Sequence, residues 1–241
     1  MGRLTECVRT AGATETNGRN MREVFQQELA EVQDRLVEIA ESVQQAMTLA
    51  HQAFLGSEVT IAERVIEGDQ EIDDRADSLD ELAIDVIARQ SPVARDLRIL
   101  VSSLRISASL ERMGDLARHV ATLARYRFPE AVVSEPLVET FTRMGQLDIE
   151  IAGLTVELLR TEDLSYGDKI DALDEEVDAL HQQVFDTVLA EDWNESSNAT
   201  VDATLASRYH ERFADHAVTI ARKIRYLQTG DWVQSDDEPT E

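Results

Sequence analysis

The sequence is poor in most of what anchors or interrupts a fold. Among 241 residues there is one cysteine, Cys7. That excludes a disulfide within the chain and any site built from several thiolates of one copy. Four prolines and ten glycines leave few chain breakers. Lysine occurs only at positions 169 and 223, so nearly all positive charge is arginine. No apolar run approaches the ~20 residues of a membrane-spanning helix, so no membrane insertion is expected. Residues 1–20 carry no apolar stretch of the secretory-signal kind, and a cytoplasmic location is the expectation. Basic residues are scarce too: 23 against 48 acidic ones, for a formal charge of −25. Such an excess argues against nucleic acid, whose phosphates need clustered Lys and Arg. It argues equally against an anionic membrane surface. It is compatible with binding multivalent cations.

What is present is helical periodicity. Residues 1–20 show none and are expected to be a disordered tail, with the folded part starting near Met21. Phe25, Leu29, Val32, Leu36, Ile39, Val43, Ala46, Ala50 and Ala53 then form one apolar seam at alternating spacings of four and three. Gly56-Ser57 ends that helix. A second is expected from about Glu58 to Arg89, and Ser91-Pro92 breaks the chain, with Pro92 suited to the first turn of the third helix. That third helix runs from about Val93 to Phe128. Its first half is apolar on several sides, which places it centrally. Pro129 and Pro136 bracket a connector. Helices over about 137–159, 165–191 and 198–229 repeat the order, the last closed by Gly230. No strand alternation appears. The expected fold is all-α: two tandem three-helix bundles, residues 21–129 and 135–230, with an acidic tail over 231–241.

The halves are related by duplication. At an offset of 100, Ser107, Glu111, Arg112, Asp115, Ala117, Ala121, Arg125 and Tyr126 meet identical residues, eight identities in twenty positions. At an offset of 105, DQEID (Asp69 to Asp73) meets DEEVD (Asp174 to Asp178).

Four acid pairs spaced i, i+4 thereby occupy matching places: Asp69 with Asp73, Glu111 with Asp115, Asp174 with Asp178, Glu211 with Asp215. Each pair offers its oxygens on one helix face. Two such helices together could hold a hard or borderline cation. At this acidity about nine or ten such pairs arise by chance, and a solvated face is the ordinary explanation; Glu81 and Asp85 are one example. The four chosen pairs stand out because they recur in both halves. They also continue apolar sectors, as Glu111 and Asp115 continue that of Leu97, Val101, Leu104 and Ala108. On the residues alone a cation site and an Arg-paired face both stay open. Arg118 shares the sector of the first pair and is able to neutralise it. His181, three residues after Asp178, and His119, four after Asp115, are candidate further ligands; His181 would favour zinc or iron over magnesium. His51 and His210 read as structural.

No phosphate-cradling glycine loop, nucleophile elbow or His-Glu-x-x-His helix is present. The alternative reading is a di-metal carboxylate redox protein. It is weakened because no Glu-x-x-His occurs, only Asp178 with His181.

ERMGD (Glu111 to Asp115), ERFADHA (Glu211 to Ala217), SPVARDLR (Ser91 to Arg98), DQEID and DEEVD together resemble the PhoU family of phosphate-transport accessory regulators. The resemblance covers about residues 21–230. It implies two tandem three-helix bundles. It also implies metal ions, zinc, iron or magnesium, on Asp69, Asp73, Glu111, Asp115, Asp174, Asp178, Glu211 and Asp215. The family often carries Asn four residues after the motif Asp, where this chain has His119 and Thr219. The resemblance further implies a regulator, not an enzyme: an adaptor between the ATPase subunit of a phosphate ABC transporter and a phosphate-sensing histidine kinase. Such a protein limits uptake and represses the starvation response when phosphate is plentiful. A homodimer is expected.

Overall fold

The computed structural model describes residues 7–230, with side chains from Arg22 onward. Six α-helices succeed one another: α1 (Cys7–Gly56), α2 (Val59–Gln90), α3 (Ala94–Arg127), α4 (Val138–Thr161), α5 (Ser165–Val188) and α6 (Ser197–Thr229). No strand occurs among the described residues. The fold class is the one expected from the periodicity.

Most boundaries fall within a few residues of the expected ones, and the exceptions have local reasons. α1 begins at Cys7, not near Met21, so residues 7–20 are helical where a disordered tail was expected. The segment contains no proline, and extending an existing helix is far easier than nucleating one. Residues 1–6 and the acidic tail 231–241 lie outside the described residues. Pro92 sits before α3 rather than in its first turn, because Ser91 closes α2 in the left-handed region (φ 48°), its N–H donating to the Ile87 carbonyl. α5 ends at Val188, short of Glu191. The loop beyond it folds Trp193 back, its indole N–H donating to Thr200 Oγ1 at 2.8 Å. Gly230 closes α6 at φ 78°, as expected.

The two halves share one core. A single cluster of buried apolar side chains runs from Leu36 of α1 to Ile224 of α6. α1 packs on α4 and α3 on α6, while α2 touches only α1 and α3 among the described helices, and α5 only α4, α6 and the short 3-10 turn Glu135–Leu137. Four helices therefore form the centre, with α2 and α5 on its flanks. α3 and α6 run antiparallel: Arg127 at the end of α3 pairs with buried Asp202 at the start of α6, and Arg98 lies over the Tyr226 ring.

The buried positions of α1 recur in α4 with the offset of 105 that relates the middle helices. Leu36, Ile39, Ala40, Val43, Met47, His51 and Phe54 match Phe141, Met144, Gly145, Asp148, Ala152, Val156 and Leu159, all buried. Gly145 is required by a close approach. A Cβ there would stand 1.9 Å from Nδ1 of His51 on α1. At the mirrored contact Ala40 keeps its Cβ, and Val156 takes the place of His51.

α3 is central, as expected, yet the sector of Leu97, Val101, Leu104 and Ala108 is not its inward face. Leu97 and Val101 are 37% and 39% exposed, and Ala108 is exposed as well. The face turned inward instead carries Ser103, Ser107, Leu110, Met113, Gly114 and Ala117. Small side chains let α1, α2 and α6 approach α3 from different directions.

Candidate metal clefts

The middle and last helix of each half meet along an acidic cleft. In the first, α2 presents Asp69 and Asp73, and α3 presents Glu111 and Asp115. Asp69 is buried, 8% exposed, and Asp73, Glu111 and Asp115 are half-buried. Gly114 lets the two helices close up, since a Cβ there would meet Ile72 at 3.2 Å. The acid pairs thus do come together across the helices, although the α3 sector they continue is partly solvated.

Arg118 spans this cleft. Its Nη2 donates to Asp115 Oδ1 at 2.5 Å, and its Nε lies 2.5 Å from Asp69 Oδ2. The Nε–H is poorly aimed, so the second contact is an ion pair rather than a hydrogen bond. Arg112 donates to the other oxygen of Asp115 at 2.8 Å. Burial alone would raise Asp115, but the hydrogen bonds from Arg118 and Arg112 outweigh it and hold the carboxyl below its usual range. Asp69 is raised, because its burial exceeds what the misaligned Arg118 returns. Burial also raises Asp73, with Asp115 adding to it, and Glu111. His119 does not complete the set. Its ring stacks on Tyr209 of α6, centroids 5.1 Å apart, and its Nδ1 is buried without a partner.

The second cleft has the same acids and a different cation arrangement. α5 presents Asp174, half-buried, and Asp178, exposed; α6 presents Glu211 and Asp215, half-buried. Arg208 pairs with Glu211 Oε1 at 2.5 Å from the rim, and Arg212 reaches Asp215 Oδ2 only at 3.5 Å. Among the described residues no ion pair reaches Asp174 or Asp178. Asp174 Oδ1 and Glu211 Oε2 are buried without hydrogen-bond partners. Burial, then the charges of Asp178, Asp215, Asp171 and Glu211, push Asp174 up to about 7. Burial and Asp215 likewise raise Asp178 and Glu211. His181 Nδ1 bonds Ser207 Oγ at 3.1 Å, which fixes its ring beside Asp178.

No three His, Cys, Asp or Glu side chains among the described residues converge closely enough to form a finished coordination sphere. The chemistry of the two clefts nevertheless separates them. The first has its negative charge spanned by a guanidinium. The second has orphaned buried carboxylate oxygens on both helices, the condition a hard cation relieves. His181, oriented through Nδ1 by Ser207, keeps Nε2 free beside these carboxylates, so the donor set there is carboxylate oxygen with one imidazole nitrogen in reach of the rim.

Two features escape the motif reading. Asp171 adds a fifth carboxyl to the second cleft, one turn before Asp174, in an open groove of about 470 Å³ shared with Val218, Arg222 and Arg225. Its i, i+3 spacing from Asp174 was the available signal. The other is a fully buried pair, Asp148 on α4 and His210 on α6, bonded through Nδ1 and Oδ2 at 2.7 Å between Phe54 and Phe141. Nothing in their local spacing marks it.

These features define a class: an internally duplicated all-α protein with an acidic cleft between the middle and last helix of each repeat. The described helices include none long and apolar enough to cross a membrane. A model of the PhoU domain matches residues 36–124 and 141–224, once per repeat, and the chain belongs to the PhoU family. It is 36% identical over 219 residues to the phosphate-specific transport system accessory protein PhoU homolog 1 of Mycobacterium leprae, covering 91% of this chain and 99% of that one. It is 36% identical over 210 residues to PhoU homolog 2 of Mycobacterium bovis, covering 87% and 99%. The crystal structure of PhoU from Pseudomonas aeruginosa superposes with a TM-score of 0.79 at 26% identity, covering 86% of this chain and all of that one. That of the phosphate transport system regulatory protein PhoU from Streptococcus pneumoniae gives 0.79 at 23%, covering 88% and 100%.

Proposed function

We propose that this protein is an accessory regulator of phosphate transport that works by docking, not by catalysis. The observation carrying this reading is its likeness, over nearly its whole length, to relatives named phosphate-specific transport system accessory proteins. In this reading it acts in the cytoplasm as a homodimer. It couples the ATPase subunit of a phosphate ABC transporter to a phosphate-sensing histidine kinase, limits uptake and represses the starvation response. Asp174, Asp178, Glu211 and Asp215 would hold a divalent metal ion in the second cleft, whose charge would tie α5 to α6 and so set the spacing of the surface offered to a partner. The orphaned buried oxygens of Asp174 and Glu211 support that part. The first-cleft acids Asp69, Asp73, Glu111 and Asp115 serve the same mechanical end through Arg118.

The test is co-purification of tagged full-length protein with the transporter ATPase and the kinase, from cells grown with and without phosphate. Capture of both, stronger in phosphate-replete cells, is the expected result. Capture of neither under either condition refutes the adaptor. Loss of capture is also expected when Asp174→Asn and Asp178→Asn are combined, with elemental analysis of the same preparation showing the metal gone.

A further inference from the structure

The two clefts use corresponding acids, yet only in the first does a cation bridge the motif acids of both helices. Arg118 leaves α3 one turn after Asp115 and reaches across to Asp69 on α2, at 2.5 Å to each carboxylate. That is the geometry of a bridging metal ion: one positive centre joining carboxylates from two helices. At the equivalent place in the second repeat, 100 residues on, stands Val218, an apolar side chain. The arginine there, Arg208, occupies the position equivalent to Ala108. It is 52% exposed and grips Glu211 of its own helix only. Arg225 of α6 does reach α5, at 2.7 Å to Asp168 and 3.9 Å to Asp171, but among the described residues no ion pair reaches Asp174 or Asp178.

We propose that Arg118 is the resident counter-ion of the first cleft and restricts divalent-cation binding to the second. A guanidinium is charged at every accessible pH, so it does not vacate the cleft by losing a proton. A divalent ion entering there would have to break two charge-assisted contacts and sit beside a displaced positive charge. With Arg112 on its second oxygen, Asp115 has no free oxygen to offer. The duplication has thus given one repeat a covalently attached cation and left the other dependent on a dissolved one. This rests on the reading of the second cleft as a metal site, and the experiment separates the two claims.

Chelator-stripped full-length protein is titrated with manganese alone, followed by electron paramagnetic resonance of the free ion, with helix content checked by circular dichroism. The wild type is expected to take about one equivalent, lost in Asp174→Asn with Asp178→Asn and kept in Asp69→Asn. Arg118→Val, which copies the second repeat, is expected to take about two, the added one lost again with Asp69→Asn. Val218→Arg, which copies the first, is expected to take none. Arg118→Gln, which keeps a polar side chain of similar reach without the charge, replaces the valine variant if that fails to fold. Manganese lost from the wild type through Asp69→Asn overturns the proposal. So does an unchanged stoichiometry in the folded Arg118 variant. A wild type that takes no manganese, beside an Arg118 variant that takes one, refutes the second-cleft reading and upholds the role of Arg118.

Discussion

The two repeats share a helix order and a buried pattern and differ in where they bury charge. In the first, α1 carries Val43 and α3 carries Leu110, both apolar and buried. At the matching places in the second stand Asp148 and His210, each with no exposed surface. The clefts differ too: the first is closed by Arg118, and the second keeps buried oxygens of Asp174 and Glu211 unpaired. The second repeat therefore buries a bonded Asp–His pair where the first is apolar, and leaves carboxylate oxygens unpaired where the first has a guanidinium. One fold tolerates either arrangement, because helix packing is set by the size and spacing of side chains, and polarity is settled locally by pairing.

The strongest way to break this comparison is to copy the first repeat's centre into the second. Asp148→Val alone leaves His210 buried without its partner and is expected to destabilise by about 3–5 kcal/mol. Asp148→Val with His210→Leu should return to within about 1 kcal/mol of wild type or exceed it, since an apolar pair of similar volume replaces a desolvated polar one. Urea denaturation of both variants measures this. Equal destabilisation of single and double variants would mean that the pair is not the unit holding this part of the core.

His51 sharpens the comparison across the repeat boundary. Its mirror is Val156, and it lies against Gly145 with its Nδ1 buried and unpaired. Burial, with His210 adding to it, lowers its pKa from 6.5 to about 4. The unfolded chain therefore takes up a proton at His51 before the folded one does, and stability falls as pH drops from about 6.5 toward 4. Compared with His51→Val, the wild type should lose up to about 3 kcal/mol across that window. Asp148, raised by burial to about 6, gives an opposite slope. That slope is present in both proteins, so it largely cancels in the difference. Parallel stability curves for the two proteins would show that His51 does not titrate in this way.

The acid pairs, the duplication and the helix order were legible because each is a periodic property of the chain. Arg118 could be placed in its cleft from sector geometry alone, one turn from Asp115. The reach to Asp69 could not, since it depends on how closely α2 approaches α3 past Gly114. The Asp148–His210 pair was illegible for a stronger reason. Its members lie 62 residues apart on different helices, and each sits where its helix pattern asks for an apolar residue. The serines on the core face of α3 are not legible as core: Ser103 and Ser109 satisfy their hydroxyls on carbonyls one turn back, at Ile99 and Arg105. They then behave as small packing residues.

The smallest expected difference lies at the starts of the two last helices. α6 begins behind Ser196, whose Oγ accepts from the Ala199 N–H at 3.1 Å. α3 begins behind Val93, which is 74% exposed and gives no side-chain cap. Ser196→Ala removes an acceptor for an N–H that the helix cannot satisfy itself, and should lower stability by about 1 kcal/mol. Val93→Ala removes only exposed apolar surface and should stay within about 0.5 kcal/mol. Thermal melts of the two variants side by side measure the contrast. Equal melting temperatures would show that the start of α6 is held by Trp193 and its bond to Thr200 rather than by the serine cap. In that case the loop before α6, and not its first residue, is what distinguishes the two helices.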